Sequence, residues 1–160
     1  MDSVKPEEQE RAERAFRICR DEVKHEYGVL ANRLNSYITS QAFLVSGYAI
    51  SMGNMNPIWG SSFRICFPLL LAVLGLVLSF RAHPGIAGVC SVIQHWHWKQ
   101  DDIFQSGASL DEYSVLRHVR VKEAHDGNLL FAQTATWIFG TAWVVMAGFA
   151  VYFFYLPPKS

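Results

Sequence analysis

The sequence predicts an all-α integral membrane protein with three transmembrane helices, a long N-terminal cytoplasmic helix, an interfacial helix and a second cytoplasmic helix. Three segments without Asp, Glu, Lys or Arg carry this prediction: residues 34–63, 65–80 and 127–158. All fourteen acidic residues lie within residues 2–26 and 101–126. Because ionised side chains are disfavoured in hydrocarbon, we expect the charged segments in water and the uncharged segments in lipid.

The composition excludes several classes of protein. Residues 1–35 carry seven Lys or Arg against eight Asp or Glu, and residues 81–128 carry five against six, so neither segment is basic enough to bind nucleic acid. The three cysteines are far apart, which indicates neither a disulfide framework nor a thiolate metal site. The acidic N-terminal run lacks the apolar segment and the cleavage site of a secretory signal.

Residues 1–35 are predicted to form a cytoplasmic amphipathic helix. Pro6 suits a first helical turn, acidic residues follow it, and no further Pro or Gly occurs before Gly28. Apolar side chains recur at steps of three and four, which predicts one contact face. This face either packs on other helices of the same chain or forms the seam of a self-associating coiled coil. The candidate seam residues are Phe16, Cys19, Val23, Leu30 and Tyr37.

Residues 36–81 are predicted to form a transmembrane hairpin with spans at about residues 37–52 and 63–80. Asn, Pro and Gly cluster between the two spans, which is typical of a turn. The charge-free part of the second span rises only about 24 Å at ~1.5 Å per residue, which is short for a hydrocarbon core. Arg64 and Arg81 are therefore expected to snorkel to the two membrane surfaces.

Residues 82–127 are predicted to be partly interfacial and partly cytoplasmic. Residues 82–98 are largely apolar but end in two tryptophans, which favours a helix lying in the membrane surface; a re-entrant crossing is the alternative. A polar linker follows over residues 99–107. The Ser-Leu-Asp-Glu capping box at residues 109–112 then predicts a second cytoplasmic helix, with a stop or hinge at Gly127.

Residues 128–155 are predicted to form the third transmembrane helix, and residues 156–160 an external tail. Lys and Arg concentrate before the first span, after the second and before the third, whereas the first hairpin loop offers only Arg64. The positive-inside rule therefore predicts a cytoplasmic N-terminus, with both charged segments on the same side. In plan, residues 6–81 resemble small bacterial membrane proteins that assemble into rings or pores. This resemblance implies a bacterial inner or plasma membrane.

Small residues line one face of each predicted span, where they let helices approach closely in lipid. They either pack the spans within one chain or line a polar path in an oligomer, since three spans are too few to enclose a pore. The hydroxyl-bearing face of the first span, extended by Asn35, Thr39 and Gln41, is the candidate for such a path. The candidate packing or pore-lining residues are Ser36, Ser40, Gly47, Ser51, Thr136 and Gly140.

Histidines are the candidate pH-sensing or ligand-binding residues, in particular His83, His95 and His97. Two residues in a helix that are two positions apart point in nearly opposite directions, so His95 and His97 cannot share one metal ion there. The sequence therefore predicts no metal site and no cofactor. Catalytic motifs and intramembrane carboxylates are missing from the sequence, so we do not expect an enzyme.

These features favour a small multi-pass membrane protein that self-assembles into a homo-oligomer and acts as a scaffold or as a gated pore-like element. An alternative is an accessory subunit of a larger membrane complex, with cytoplasmic helices that bind a soluble protein partner. A second alternative is a histidine-ligated metal or haem protein of the membrane. In each case the lipid bilayer is a partner of the chain.

Overall fold

The computed structural model describes residues 6–53, 61–105 and 119–155, and all of them are helical. The helices are α1 (Pro6–Gly53), α2 (Ser61–Gln105) and α3 (Val119–Tyr155). No strand occurs in these three ranges. The predicted all-α fold is therefore confirmed for the described part of the chain.

Helix α1 joins the predicted N-terminal helix and the predicted first span without a break. It begins at Pro6, as the sequence predicts, because proline suits a position whose amide has no helical partner. It contains no other proline, and the glycines within it are tolerated singly. It ends at Gly53, one residue beyond the predicted end of the span.

Helix α2 differs from the prediction, because residues 82–98 do not form a separate helix. Pro84 and Gly85 lie inside α2, which continues to Gln105. The predicted polar linker over residues 99–107 is therefore helical at least as far as Gln105. A proline inside a helix removes one hydrogen bond, and packing of the flanking turns evidently offsets that loss.

Helix α3 also runs through a predicted boundary. Gly127 lies within the helix and neither stops it nor divides it into two elements. The last residue of the helix, Tyr155, agrees with the predicted end of the third span. The predicted capping box at residues 109–112, the hairpin turn at 54–60 and the tail at 156–160 lie outside the described residues.

The chain divides into two compact units, and each helix contributes to both. The charged unit comprises Met1–Asn32 and Ile86–Ala132, and the apolar unit comprises Arg33–Gly85 and Gln133–Ser160. All fourteen acidic residues belong to the charged unit, since none occurs in residues 33–85 or 133–160. The acidic residues of the sequence therefore all lie in one of the two units.

Two helices are long and apolar enough to cross a membrane, with candidate spans at Cys66–Ile103 and Leu129–Tyr152. Only 22% of the most apolar window in each is buried inside the chain, whereas a core helix of a soluble protein is mostly buried. The corresponding part of α1 does not qualify, because its hydroxyl and amide side chains lower its mean hydropathy. Three membrane crossings are thus not confirmed.

Candidate functional site

The charged unit has a core formed by the predicted stripe of α1. Phe16, Cys19, Val23 and Leu30 are all buried within the single chain. A coiled coil between copies through these residues would have to open this packing. Tyr37, the fifth predicted seam residue, is buried in the apolar unit.

The apolar face of α2 within the charged unit is also buried in this core. Ile86, Val89, Cys90 and Ile93 share one face of the predicted interfacial helix, and each is almost fully covered by the chain itself. The Cys90 thiol lies 4.0 Å from the carbonyl oxygen of Leu129 in α3. The face therefore contacts protein, which corrects the expectation that it lies in the membrane surface.

Burial changes the acidity of one thiol in this core. Desolvation raises the pKa of Cys19, and the positive charge of Lys99 opposes that effect only in part. A thiol in this state is a weak nucleophile at neutral pH.

In the apolar unit the three helices pack with α2 antiparallel to both α1 and α3. Between α2 and α3, His83 contacts Thr136 and Ser79 contacts Gly140. The residue numbers of such pairs fall along α2 as they rise along α3, as expected for antiparallel helices. Small side chains at these positions let the two helices approach closely. Gly140 and Thr136, which the sequence predicts as packing or pore-lining residues, thus pack within the chain.

A polar network lies in the core of the apolar unit. The Trp143 indole N–H donates to Gln41 Oε1 at 2.5 Å, and Gln41 Nε2 lies 3.4 Å from Ser79 Oγ. Ser79 donates its hydroxyl proton to the Gly75 carbonyl, so Tyr37, 2.9 Å from Ser79 Oγ, donates to it. Both side-chain ends of Gln41 are therefore satisfied in a core where a lone amide would be costly.

Trp143 fills a space that exists because residue 75 has no side chain. A Cβ atom at Gly75 would overlap the Trp143 ring system. The ring also packs edge-on against Tyr48, whose hydroxyl donates to the Met146 carbonyl at 2.6 Å. Trp143 is fully buried and so holds α1, α2 and α3 together in this unit.

A cavity of about 360 Å³ lies between α2 and α3 in the apolar unit. Its wall is largely apolar, and His83 and Thr136 are at one end. His83 Nδ1 lies 2.8 Å from Thr136 Oγ1, and the imidazole packs edge-on against Trp137. The cavity is lined by Leu76, Ser79, Phe80, His83, Thr136, Trp137, Gly140, Thr141 and Val144.

The outer face of α1 in the apolar unit is exposed and carries polar side chains together with Phe43 and Ile50, which are 76% and 70% exposed. Asn35, Ser36, Thr39, Ser40 and Ser46 all lie on it. The Ser40 and Ser46 hydroxyls donate to carbonyl groups four residues earlier in the same helix, so their protons are satisfied. This face remains the part of the predicted polar path that the chain itself does not cover.

The other predicted path residues lie elsewhere. Gln41 is buried in the core network and does not extend the outer face, which corrects its predicted place. Gly47 packs near Leu71, and the Ser51 hydroxyl donates to the Tyr48 carbonyl. Ser36 and Ser40 are thus the predicted pore-lining residues that stay exposed.

The three candidate histidines are not brought together. His83 belongs to the apolar unit, whereas His95 and His97 belong to the charged unit. His95 is exposed beside Trp96 and Trp98, and the half-buried His97 contacts the Tyr27 ring. No group of three or more His, Cys, Asp or Glu within the described ranges is placed to hold a metal ion.

No protein-family model matches the chain, and comparisons with curated proteins and with solved structures find no significant match either. The assignment of function therefore rests on the geometry of the two units.

Proposed function

We propose that the apolar unit is embedded in a lipid bilayer with three crossing helices. Its helical segments, residues 33–53, 61–85 and 133–155, are about 31 to 38 Å long at ~1.5 Å per residue, which suits a hydrocarbon core of ~30 Å. The third crossing is the α1 segment, whose exposed hydroxyl and amide oxygens can still accept hydrogen bonds from a neighbouring helix.

The distribution of exposed apolar side chains supports this placement. Among the described residues, the large exposed apolar side chains nearly all belong to the apolar unit; the exceptions are Ile18, Val92, Trp98, Leu130 and Phe131. Exposed apolar surface on this scale is unfavourable in water but is the expected outer surface of a membrane domain.

We further propose that copies of the chain assemble side by side in the membrane through the outer face of α1, as a scaffold or a gated pore-like element. The observation that carries this proposal is the exposed row of amide and hydroxyl groups at Asn35, Ser36, Thr39, Ser40 and Ser46. Such groups hold transmembrane helices together by hydrogen bonds and close packing. In a ring of copies the same row would face either a neighbour or a central path.

Cross-linking in the membrane tests this interface. In a variant with all three native cysteines replaced by Ser, Ser40→Cys should give disulfide-linked dimers in nanodiscs that hold the native assembly. The matched control is Val77→Cys on α2, which is half exposed and apolar. Equal cross-linking of both variants would contradict an interface at α1, and a clean monomer by mass measurement over a wide range of protein-to-lipid ratios would contradict self-assembly.

A pair of substitutions tests whether the polar groups themselves hold the assembly. Ser36→Leu with Ser40→Leu should shift the mass distribution towards monomer, whereas Val73→Leu with Val77→Leu on exposed α2 positions should leave it unchanged. If the assembly forms a pore, the Ser variants should also lose leakage from liposomes. Leakage without assembly would reject the pore.

The second candidate function is an accessory subunit that binds a soluble protein. Ile18 and Trp98 are more than half exposed in the charged unit, where no lipid is proposed to cover them. Lys99 lies 5.1 Å from the centre of the Trp96 ring, so the neighbourhood of Trp98 combines aromatic and cationic groups. A stoichiometric foreign chain that copurifies in mild detergent, and is lost on Trp98→Ala, would favour this function.

A further inference from the structure

The cavity between α2 and α3 has the size and lining of a ligand site. Its volume of about 360 Å³ falls within the ~300–1,000 Å³ of small-molecule pockets. Phe80, Trp137 and Val144 line it and are each more than half exposed, so the cavity opens to the outside of the unit. In the proposed membrane placement that outside is lipid, and an apolar molecule could enter laterally.

The hydrogen bonds at the polar end fix which atom of His83 can receive a ligand. Thr136 has one hydroxyl proton and donates it to the Gln133 carbonyl at 3.0 Å. Thr136 Oγ1 therefore accepts from His83 Nδ1–H, which leaves Nε2 of the neutral ring as a lone-pair acceptor. Nε2 has no hydrogen-bond partner among the described residues.

The charges of the apolar unit favour an acidic ligand. Residues 33–85 and 133–160 contain no Asp or Glu, so the unit carries no carboxylate of its own to pair with a cation. Arg33 donates to the Gly85 carbonyl at 2.6 Å, two residues beyond His83, and Arg81 lies exposed two residues before it. Neither arginine lines the cavity, so the imidazole acceptor at its polar end is the group that receives a carboxylic acid head.

We propose that this cavity binds a long-chain carboxylic acid from the bilayer. The acid O–H donates to His83 Nε2, and proton transfer to Nε2 would give an N–H···O ion pair with no other bond formed or broken. The alkyl chain lies along Leu76 and Gly140 and leaves past the exposed Val144. His83 to Leu76 spans about 10 Å of helix, so the cavity holds the head and the first part of the chain.

Photolabelling of the full chain in nanodiscs tests the site. The probe is palmitic acid with a diazirine close to its carboxyl group, in lipids free of other fatty acids. We expect labelled residues at the cavity lining of α2 and α3, and we expect unlabelled palmitic acid to compete. Labelling spread evenly over the exposed apolar faces, with no preference for the lining, would overturn the proposal.

Competitors of matched chain length test the head group. Palmitic acid should displace the probe about tenfold better than hexadecanol, because one hydrogen bond to a charged partner is worth more than one to a neutral partner. Hexadecane should not compete. Equal competition by hexadecanol would overturn the carboxylic acid assignment, and equal competition by hexadecane would overturn any role for His83.

Two pairs of variants place the ligand on named residues. His83→Phe keeps a ring but removes Nε2 and should lower probe affinity about tenfold, whereas His95→Phe, an exposed control on the same helix, should not. Val144→Trp should block the cavity, and Val145→Trp, equally exposed but outside the lining, should not. Unchanged labelling in both His83→Phe and Val144→Trp would overturn the site. The result does not depend on self-assembly, since the cavity lies within one chain.

Discussion

Among the described glycines of the apolar unit, Gly75 is the one where an added Cβ would overlap another side chain, that of Trp143. Since any Cβ at position 75 overlaps the indole, Gly75→Ala should displace Trp143 and lower the free energy of unfolding by about 1 to 3 kcal/mol. Reversible unfolding in mixed micelles, followed by circular dichroism, measures this change.

The matched control for this prediction is Gly148→Ala in α3. Nothing among the described residues lies within 4 Å of a Cβ at Gly148, so the substitution should be neutral or stabilise by up to about 1 kcal/mol through helix propensity. Equal effects at both positions would show that the contact with Trp143 does not limit the packing.

Gln41 of α1 connects its helix to both α2 and α3 through one amide group. Gln41→Leu should lower the free energy of unfolding by about 1 to 3 kcal/mol, because it leaves the Trp143 N–H buried without an acceptor. In a double-mutant cycle, Trp143→Phe should then add less destabilisation than it does alone. Gln94→Leu at an exposed position of α2 is the control. Additive effects would show that the bond is not formed.

Cys19 should react slowly with maleimide at neutral pH. Its pKa is raised by burial, so thiolate forms only at more alkaline pH than in an exposed thiol. Because the folded protein favours the neutral Cys19 thiol, this group contributes fully to the free energy of unfolding at pH values below the pKa of Cys19 in the unfolded chain. That contribution is lost as the pH rises through the higher pKa of Cys19 in the folded protein. Rates against pH should be compared with Ile18→Cys, an exposed neighbour, in a background with the native cysteines replaced by Ser. Superimposable profiles would contradict the prediction.

Pro84 weakens α2 at the polar end of the cavity. Proline has no amide hydrogen, so the Phe80 carbonyl loses its usual donor four residues later. Pro84→Ala should therefore raise the free energy of unfolding by up to about 3 kcal/mol, more than the ~1 kcal/mol expected of Gly88→Ala one turn later. A smaller gain at Pro84 than at Gly88 would show that the helix already compensates for the missing bond.

Helix starts and ends followed from the sequence better than the breaks within helices. The start of α1 at Pro6 and the end of α3 at Tyr155 were predicted correctly. Both predictions rest on local signals: the preference of proline for the first helical turn, and an apolar segment long enough to cross a membrane. The predicted separation of residues 82–98 from the second span and the predicted stop or hinge at Gly127 do not occur. Packing against neighbouring helices overrides local propensity, and a single sequence does not reveal that packing.

The candidate site was predictable only in part. Steps of three and four identified the buried stripe that contains Phe16 and Leu30, because burial repeats with the helical period. The partners of Gln41 and His83 could not be predicted, since each pairs with a residue of another helix far along the chain. A signal was present nonetheless: Gln41 is an amide in an otherwise apolar and hydroxyl-rich segment, and such a group needs a partner in lipid.

All acidic residues lie in the charged unit, so the orientation of the chain in a membrane can be predicted from the proposed crossings of the apolar unit. With three crossings in the apolar unit, tags at the two termini should be accessible from opposite sides of intact vesicles, with the N-terminal tag on the cytoplasmic side. Protease protection of each tag measures this. Termini on the same side would mean an even number of crossings and would contradict the three-crossing placement.

Trp143 packs against Gly75 in the core, so its intrinsic fluorescence can report on the packing of the three helices. Its indole is shielded from solvent and bonded through nitrogen, so separation of the three helices would change its emission wavelength. In a variant whose other four tryptophans are phenylalanine, this signal would follow opening of the helix bundle without an attached dye.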